Sequence, residues 1–192
     1  MYLHTYSISI RNLWLGLAGA LLVAAAWIVT FRINSLLFTE WGHSTYVNYI
    51  FLPAGVRLLS ILLLEEIAVL GLLIGAIYTC IIYHPDISIM TCVGISLISA
   101  INPYISLKCS LYLLKVDDIL SNFSPNKLML MCLIYASLNS ISHNLYFLYL
   151  NLINDIRHNL IVMFTGDFLG CLLVLYGFSL AIKLLKFRRK HQ

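Results

Sequence analysis

The sequence predicts an all-α fold: a polytopic transmembrane helix bundle of about six helices, with both termini in the cytoplasm. Three observations carry this. First, 61% of the 192 residues are hydrophobic and only 10% are charged. A soluble domain carries about 25% charge, so this chain cannot cover a globule of its size with polar groups. A soluble enzyme, a soluble nucleic-acid-binding domain and a disordered chain are all excluded by that excess of apolar residues. Second, the apolar residues fall in long runs, each close to the roughly 20 residues that one crossing needs. The runs are apolar around their whole circumference, which argues helices rather than barrel strands. Third, the basic residues are distributed unevenly between the two faces that those runs define.

The first segment is 13–31. Arg11 before it and Ala24, Ala25 and Ala26 within it imitate a signal peptide. Its length exceeds the roughly 7–15 residues of a signal core, so it is read as a membrane helix. The second segment is 46–64, carrying Pro53 and Arg57, and Glu65-Glu66 makes a short connection to the third, 67–83. His84-Pro85-Asp86 is a turn by composition. The fourth segment is 89–107, the fifth 128–150 and the sixth 160–182, forming a single integral membrane domain over 1–192. Between the fourth and fifth, 115–127 is the most polar interior stretch, and Ser124-Pro125-Asn126 reads as a helix start. With the termini inside, nine basic residues are cytoplasmic: Arg11, Lys108, Lys115, Lys127, Lys183, Lys186, Arg188, Arg189 and Lys190. Arg32 and Arg157 are external. Trp14, Trp41, Tyr46, Tyr49, Tyr83 and Tyr149 fall near segment ends, as interfacial aromatics do. The basic tail follows an apolar run directly, so it reads as an anchor at the cytoplasmic leaflet and not as a nucleic-acid patch.

Polar residues inside apolar segments are the informative ones. They are Arg57, Asn102, His143, Asn144 and Asp167. A charge in hydrocarbon is costly and faces a cavity or a partner. From the helical rise, Asp167 and His143 lie about 10 Å below the outer ends of their helices, and Arg57 about 16 Å. That predicts a polar cluster in the outer half of the membrane, either a ligand pocket or a structural Arg57–Asp167 ion pair. Pro53 removes one helical hydrogen bond, and with Gly55 it predicts a kinked or partly unwound stretch over 51–57. Gly71 and Gly75 share one helix face, as do Gly166 and Gly170. Such pairs admit another helix backbone at close range. Packing within the chain is the favoured reading and a homo-oligomer interface the alternative.

Nothing in the sequence assembles a catalytic or metal centre. The five cysteines, Cys80, Cys92, Cys109, Cys132 and Cys171, are single residues in apolar stretches without metal-ligand spacing. There is no P-loop, nucleophile elbow or H-E-x-x-H. The expectation is a non-enzyme with no cofactor, no metal and no nucleic acid.

The stretch Phe51-Leu-Pro-Ala-Gly-Val-Arg-Leu-Leu, followed by Leu70-Gly-Leu-Leu-Ile-Gly75, resembles the second and third helices of MASE1-type integral membrane sensory domains. Phe164-Thr-Gly-Asp-Phe-Leu-Gly170 is similar to their later Gly-Asp-x-x-Gly segment. Order and spacing agree over about 46–182, and the matched positions are Pro53, Gly55, Gly166, Asp167 and Gly170. The resemblance implies a multi-pass protein of the bacterial inner membrane. Such a protein senses a small ligand or the membrane state, or serves a separate membrane or cytoplasmic protein as a subunit. Family members have about eight helices and precede a kinase or cyclase domain, whereas this chain has about six. Two other functions fit the size: the substrate-binding subunit of a vitamin-type transporter, and a structural membrane assembly factor.

Overall fold

A computed structural model describes residues 10–38, 42–44, 47–114, 125–153 and 155–190. Lys115, Trp41 and Tyr46 lie outside them. Among the described residues the fold is all-helical apart from one small hairpin. Its elements are α1 (Ile10–Phe38), β1 (Gly42–Ser44), β2 (Val47–Asn48), α2 (Leu52–Tyr83), α3 (Ile89–Leu114), α4 (Pro125–Tyr149) and α5 (Ile156–Lys190). All five helices are long and apolar enough to cross a membrane. Each has an outward face of bare apolar side chains, such as Leu22 on α1 and Tyr176 on α5. Lipid, not water, is the solvent that matches such a surface.

The helix count is five where the sequence reading expects six. The segments 46–64 and 67–83 form one element, because the Glu65-Glu66 connection is too short to interrupt it. The element is nonetheless broken inside. Glu65 has φ 43° and ψ −116°, far from helical values. A straight helix of this length would be about 48 Å long. Yet the Phe31 ring of α1 lies 6.2 Å from Phe51 at one end of α2 and 5.0 Å from Tyr83 at the other. Both ends cannot reach one ring unless α2 folds back on itself at Glu65. At the tip, Lys108 of α3 pairs with Glu65 at 3.2 Å and the Tyr104 hydroxyl donates to Glu66 at 3.0 Å.

The start of α2 also differs from expectation. Residues 47–51 are non-helical, with 47–48 in β2 and a bend at Tyr49, and the helix begins only at Leu52 with Pro53 in its first turn. There the missing N–H of proline costs no hydrogen bond. Pro53 therefore opens the helix, and Gly55 and Arg57 lie on regular helix beyond it. The unwound stretch falls just before the predicted one.

Folding α2 back lets it pack against α1, α3 and α5 at once, while α3 meets α4 and α4 meets α5. The core gathers Trp27, Ala54, Leu58, Ile61, Ala68, Leu72, Met131, Tyr135 and Cys171. Small residues set the closest approaches. A Cβ on Gly71 would strike the carbonyl oxygen of Ala20, and one on Gly75 would lie 2.8 Å from the Trp27 ring. Both glycines thus serve the α1–α2 contact within the chain.

Candidate functional site

The site forms where the non-helical residues before α2 run along α5. The Phe51 N–H donates to the Gly166 carbonyl at 3.1 Å, and the Leu52 N–H donates to Asn34 Oδ1 at 2.8 Å. These bonds satisfy two backbone donors of the non-helical stretch and the first turn of α2. The approach needs glycine: a Cβ on Gly166 would meet the Asn48 carbonyl, and one on Gly170 the Phe51 carbonyl. Gly55 completes the junction, since a Cβ there would sit 2.6 Å from the Gly170 carbonyl. Gly166 and Gly170 thus receive this chain's own backbone, as the packing alternative expects.

Below this junction a polar network crosses four helices. Arg57 on α2 is 4% exposed. Its Nη1 donates to the Tyr135 hydroxyl on α4 and its Nη2 to Ser99 Oγ on α3, each at 3.2 Å. Ser99 Oγ meets His143 Nε2 at 3.1 Å, and His143 Nδ1 meets the Asn139 carbonyl at 3.1 Å. A carbonyl only accepts, so in the tautomer with its proton on Nδ1 His143 donates to Asn139. Nε2 then accepts from the Ser99 hydroxyl, whose own lone pair accepts from Arg57. The bonds run in one direction, outward from the cation. The Asn139 side chain continues the network: its Nδ2 donates to Asp167 Oδ2 on α5 at 2.6 Å, and its Oδ1 accepts from Asn102 on α3 at 3.3 Å.

The predicted polar residues are thus largely brought together, but not as an ion pair. Among the described residues the ion pair within 4.0 Å is Lys108–Glu65. Arg57 and Asp167 are joined through Ser99, His143 and Asn139 because each is already occupied by hydroxyl or amide partners. Asn144 stands apart. It is fully buried, donating to the Ser140 carbonyl at 2.8 Å and to Met163 Sδ at 3.5 Å, with its Oδ1 unpaired. Pro53 and Gly55 shape the junction and add no polar group.

Aromatic rings close the site around Arg57. Its guanidinium carbon lies 4.4 Å from the Trp27 ring centroid and 5.3 Å from that of Phe51. Trp27 is held by its own indole N–H, which donates to Thr79 Oγ1 at 3.0 Å. Ring stacking offsets part of the cost of a desolvated cation.

Ser99, Tyr135, Asn139, Trp27 and Thr79 were not singled out from the sequence, although a signal existed for three of them. Tyr135, Asn139 and His143 recur every four residues, and Ser96, Ser99, Asn102, Ser106 and Ser110 every three or four. Each set makes one inward stripe on an otherwise apolar helix. No family model, curated protein or solved structure matches the chain.

Proposed function

We propose that the chain is a MASE1-like sensory or interaction module of the bacterial inner membrane. In this reading it registers a small ligand or the membrane state and passes the result to a separate protein. One observation supports it above the rest. The positions that carry the resemblance are separated by more than a hundred residues, yet they meet at one place. Gly55 abuts Gly170, Gly170 abuts Phe51, and Asp167 enters the Arg57 network one turn away. A junction of this kind, with non-helical backbone resting on glycines beside buried charges, suits a device with two arrangements better than a mere anchor.

The proposed topology has six crossings, α2 contributing two, with both termini and the Glu65 tip in the cytoplasm. The basic residues favour it. A cysteine at Asp86 is then labelled by an impermeant maleimide on intact cells, and one at Glu66 only after permeabilisation. Labelling of the Glu66 position in intact cells would contradict this topology.

Capture of the tagged chain from native membranes, with mass spectrometry of what accompanies it, tests the function. A kinase, cyclase or other regulator retained by the wild type and lost with Gly170→Leu is the expected result. An ATPase pair with a membrane coupling subunit would replace the reading with a vitamin-type transporter subunit. Retention of a large membrane complex without a regulator would replace it with an assembly factor.

A further inference from the structure

We infer that the C-terminal half of α5 binds an anionic phospholipid, with an acyl chain in a groove on the helix and the phosphate at the basic residues that follow. This names what the module reads of the membrane state, and its role in sensing rests on the reading above. The groove is about 680 Å³ and lies on the outward side of α5. Among the described residues it runs from Leu169 to Leu180, apolar apart from the Tyr176 and Ser179 hydroxyls. Gly177 keeps it open, since nothing lies within 4 Å of where its Cβ would be. The groove sits where α5 parts from its neighbours. Leu175 is 5% exposed, and every residue from 176 to 181 is exposed. From 169 to 180 the helix rises about 17 Å, close to the roughly 15 Å of hydrocarbon in one leaflet. An acyl chain is the apolar rod of that length that a bilayer supplies.

The charge selects the lipid. α5 stays helical to Lys190. Lys183, Lys186, Arg188, Arg189 and Lys190 follow the groove, and no Asp or Glu lies beyond Asp167. Lys183 is seven residues after Tyr176, and Lys190 seven after Lys183, so helical register places both positions on the groove's face. Lys183 is one turn past Leu180, about 5 Å further along the axis, at the depth where a headgroup phosphate follows its chains. The other charges at this end do not cancel the tail. In the proposed topology nine basic residues share the cytoplasmic side with Glu65, Glu66, Asp117 and Asp118, and Glu65 is taken by Lys108. The excess is positive even with all four acids ionised. A zwitterionic headgroup brings its own cation to these lysines, whereas a headgroup of net negative charge does not. The groove adds what a diffuse attraction lacks, a fixed place for one chain beside the charge.

Native mass spectrometry of the full-length protein tests this, with phosphatidylglycerol and phosphatidylcholine of matched acyl chains offered together in detergent micelles. One lysine beside an anionic headgroup is worth about fivefold in affinity. The first lipid retained is therefore expected to be phosphatidylglycerol, by about fivefold or more. Lys183→Gln combined with Lys190→Gln brings the ratio close to one. Gly177→Leu fills the groove and lowers the retained phosphatidylglycerol while the unfolding transition stays in place. If the Gly177 variant does not fold, the lysine pair still decides, because both positions lie beyond the spanning part of α5. Equal retention of the two lipids by the wild type overturns the site. So does a preference that survives the lysine changes, which places it elsewhere, or one that survives Gly177→Leu, which makes it a diffuse surface attraction. Displacement of the lipid by an equal concentration of glycerol 3-phosphate would show a free phosphate site and overturn it too. Partner capture reads a different property, so the sensory reading and the lipid site fail separately.

Discussion

Asn139 holds the two charged ends of the network together, and its removal has a calculable cost. In Asn139→Leu the shape is nearly kept, while the 2.6 Å bond to Asp167 and the 3.3 Å bond from Asn102 are lost. A hydrogen bond to a charged group is worth about 1.5–3 kcal/mol and a neutral one about 0.5–1.5. Bonds between membrane helices average less, about 0.6 kcal/mol, because the unfolded chain in the bilayer also finds partners. The short Asp167 bond in a fully buried setting belongs at the upper end, so the substitution is expected to cost about 2–3 kcal/mol. Asp167→Leu leaves the Asn139 amide unpaired and costs a similar amount. Replacing both partners removes the interaction and leaves only Asn102 Nδ2 without its acceptor, a loss already present in Asn139→Leu, so the double variant is expected to recover at least about 1 kcal/mol against the sum of the singles. Reversible unfolding in mixed micelles of mild detergent and dodecyl sulfate measures all four corners of the cycle. Additivity within about 0.5 kcal/mol would refute the idea that Asn139 ties Asp167 to the network.

Two further outcomes follow from the backbone. Gly170→Ala puts a methyl group on the Phe51 carbonyl. Overpacking of this kind costs about 1–3 kcal/mol, whereas Gly177→Ala, with nothing within 4 Å of its added Cβ, is expected to be neutral in the same unfolding assay. Glu65→Gly removes a side chain from a positive-φ position, relieving strain of about 1–3 kcal/mol. It also loses the half-exposed Lys108 pair, worth about 0–1 kcal/mol. A net gain in stability is expected, and a loss greater than that of Lys108→Ala would contradict the strained turn.

Much of this architecture could be read from the sequence, and the remainder has identifiable reasons. Long apolar runs located every helix, because lipid demands continuous hydrogen-bonded backbone over a fixed thickness. Polar and charged groups inside those runs located Arg57, His143 and Asp167, because each is expensive unless partnered. The partners themselves were harder to find. Ser99 and Asn139 cost little in a helix and are common there, so only their three- and four-residue spacing marks them. Expecting Arg57 and Asp167 to pair directly assumed that opposite charges at similar depth must touch. Here each charge found hydroxyl or amide partners on the helix nearest to it. The start of α2 was misplaced because Pro53 reads equally as a kink or as a first-turn residue. Nothing local showed that Gly166 and Gly170 would receive the backbone of 48–51, since a glycine pair states that something approaches and not what.

The fold-back of α2 at Glu65 underlies the account of the bundle, because it brings both Phe51 and Tyr83 to the Phe31 ring and both Arg57 and Thr79 to Trp27. Spin labels at Tyr49 and Ile82, both on exposed positions flanking the two arms, test it in a variant whose five native cysteines are replaced by alanine. Double electron–electron resonance in nanodiscs reads the distance between them. The account requires a narrow distribution well below 30 Å. A continuous helix would hold the labels about 48 Å apart, and a distribution centred there would contradict it.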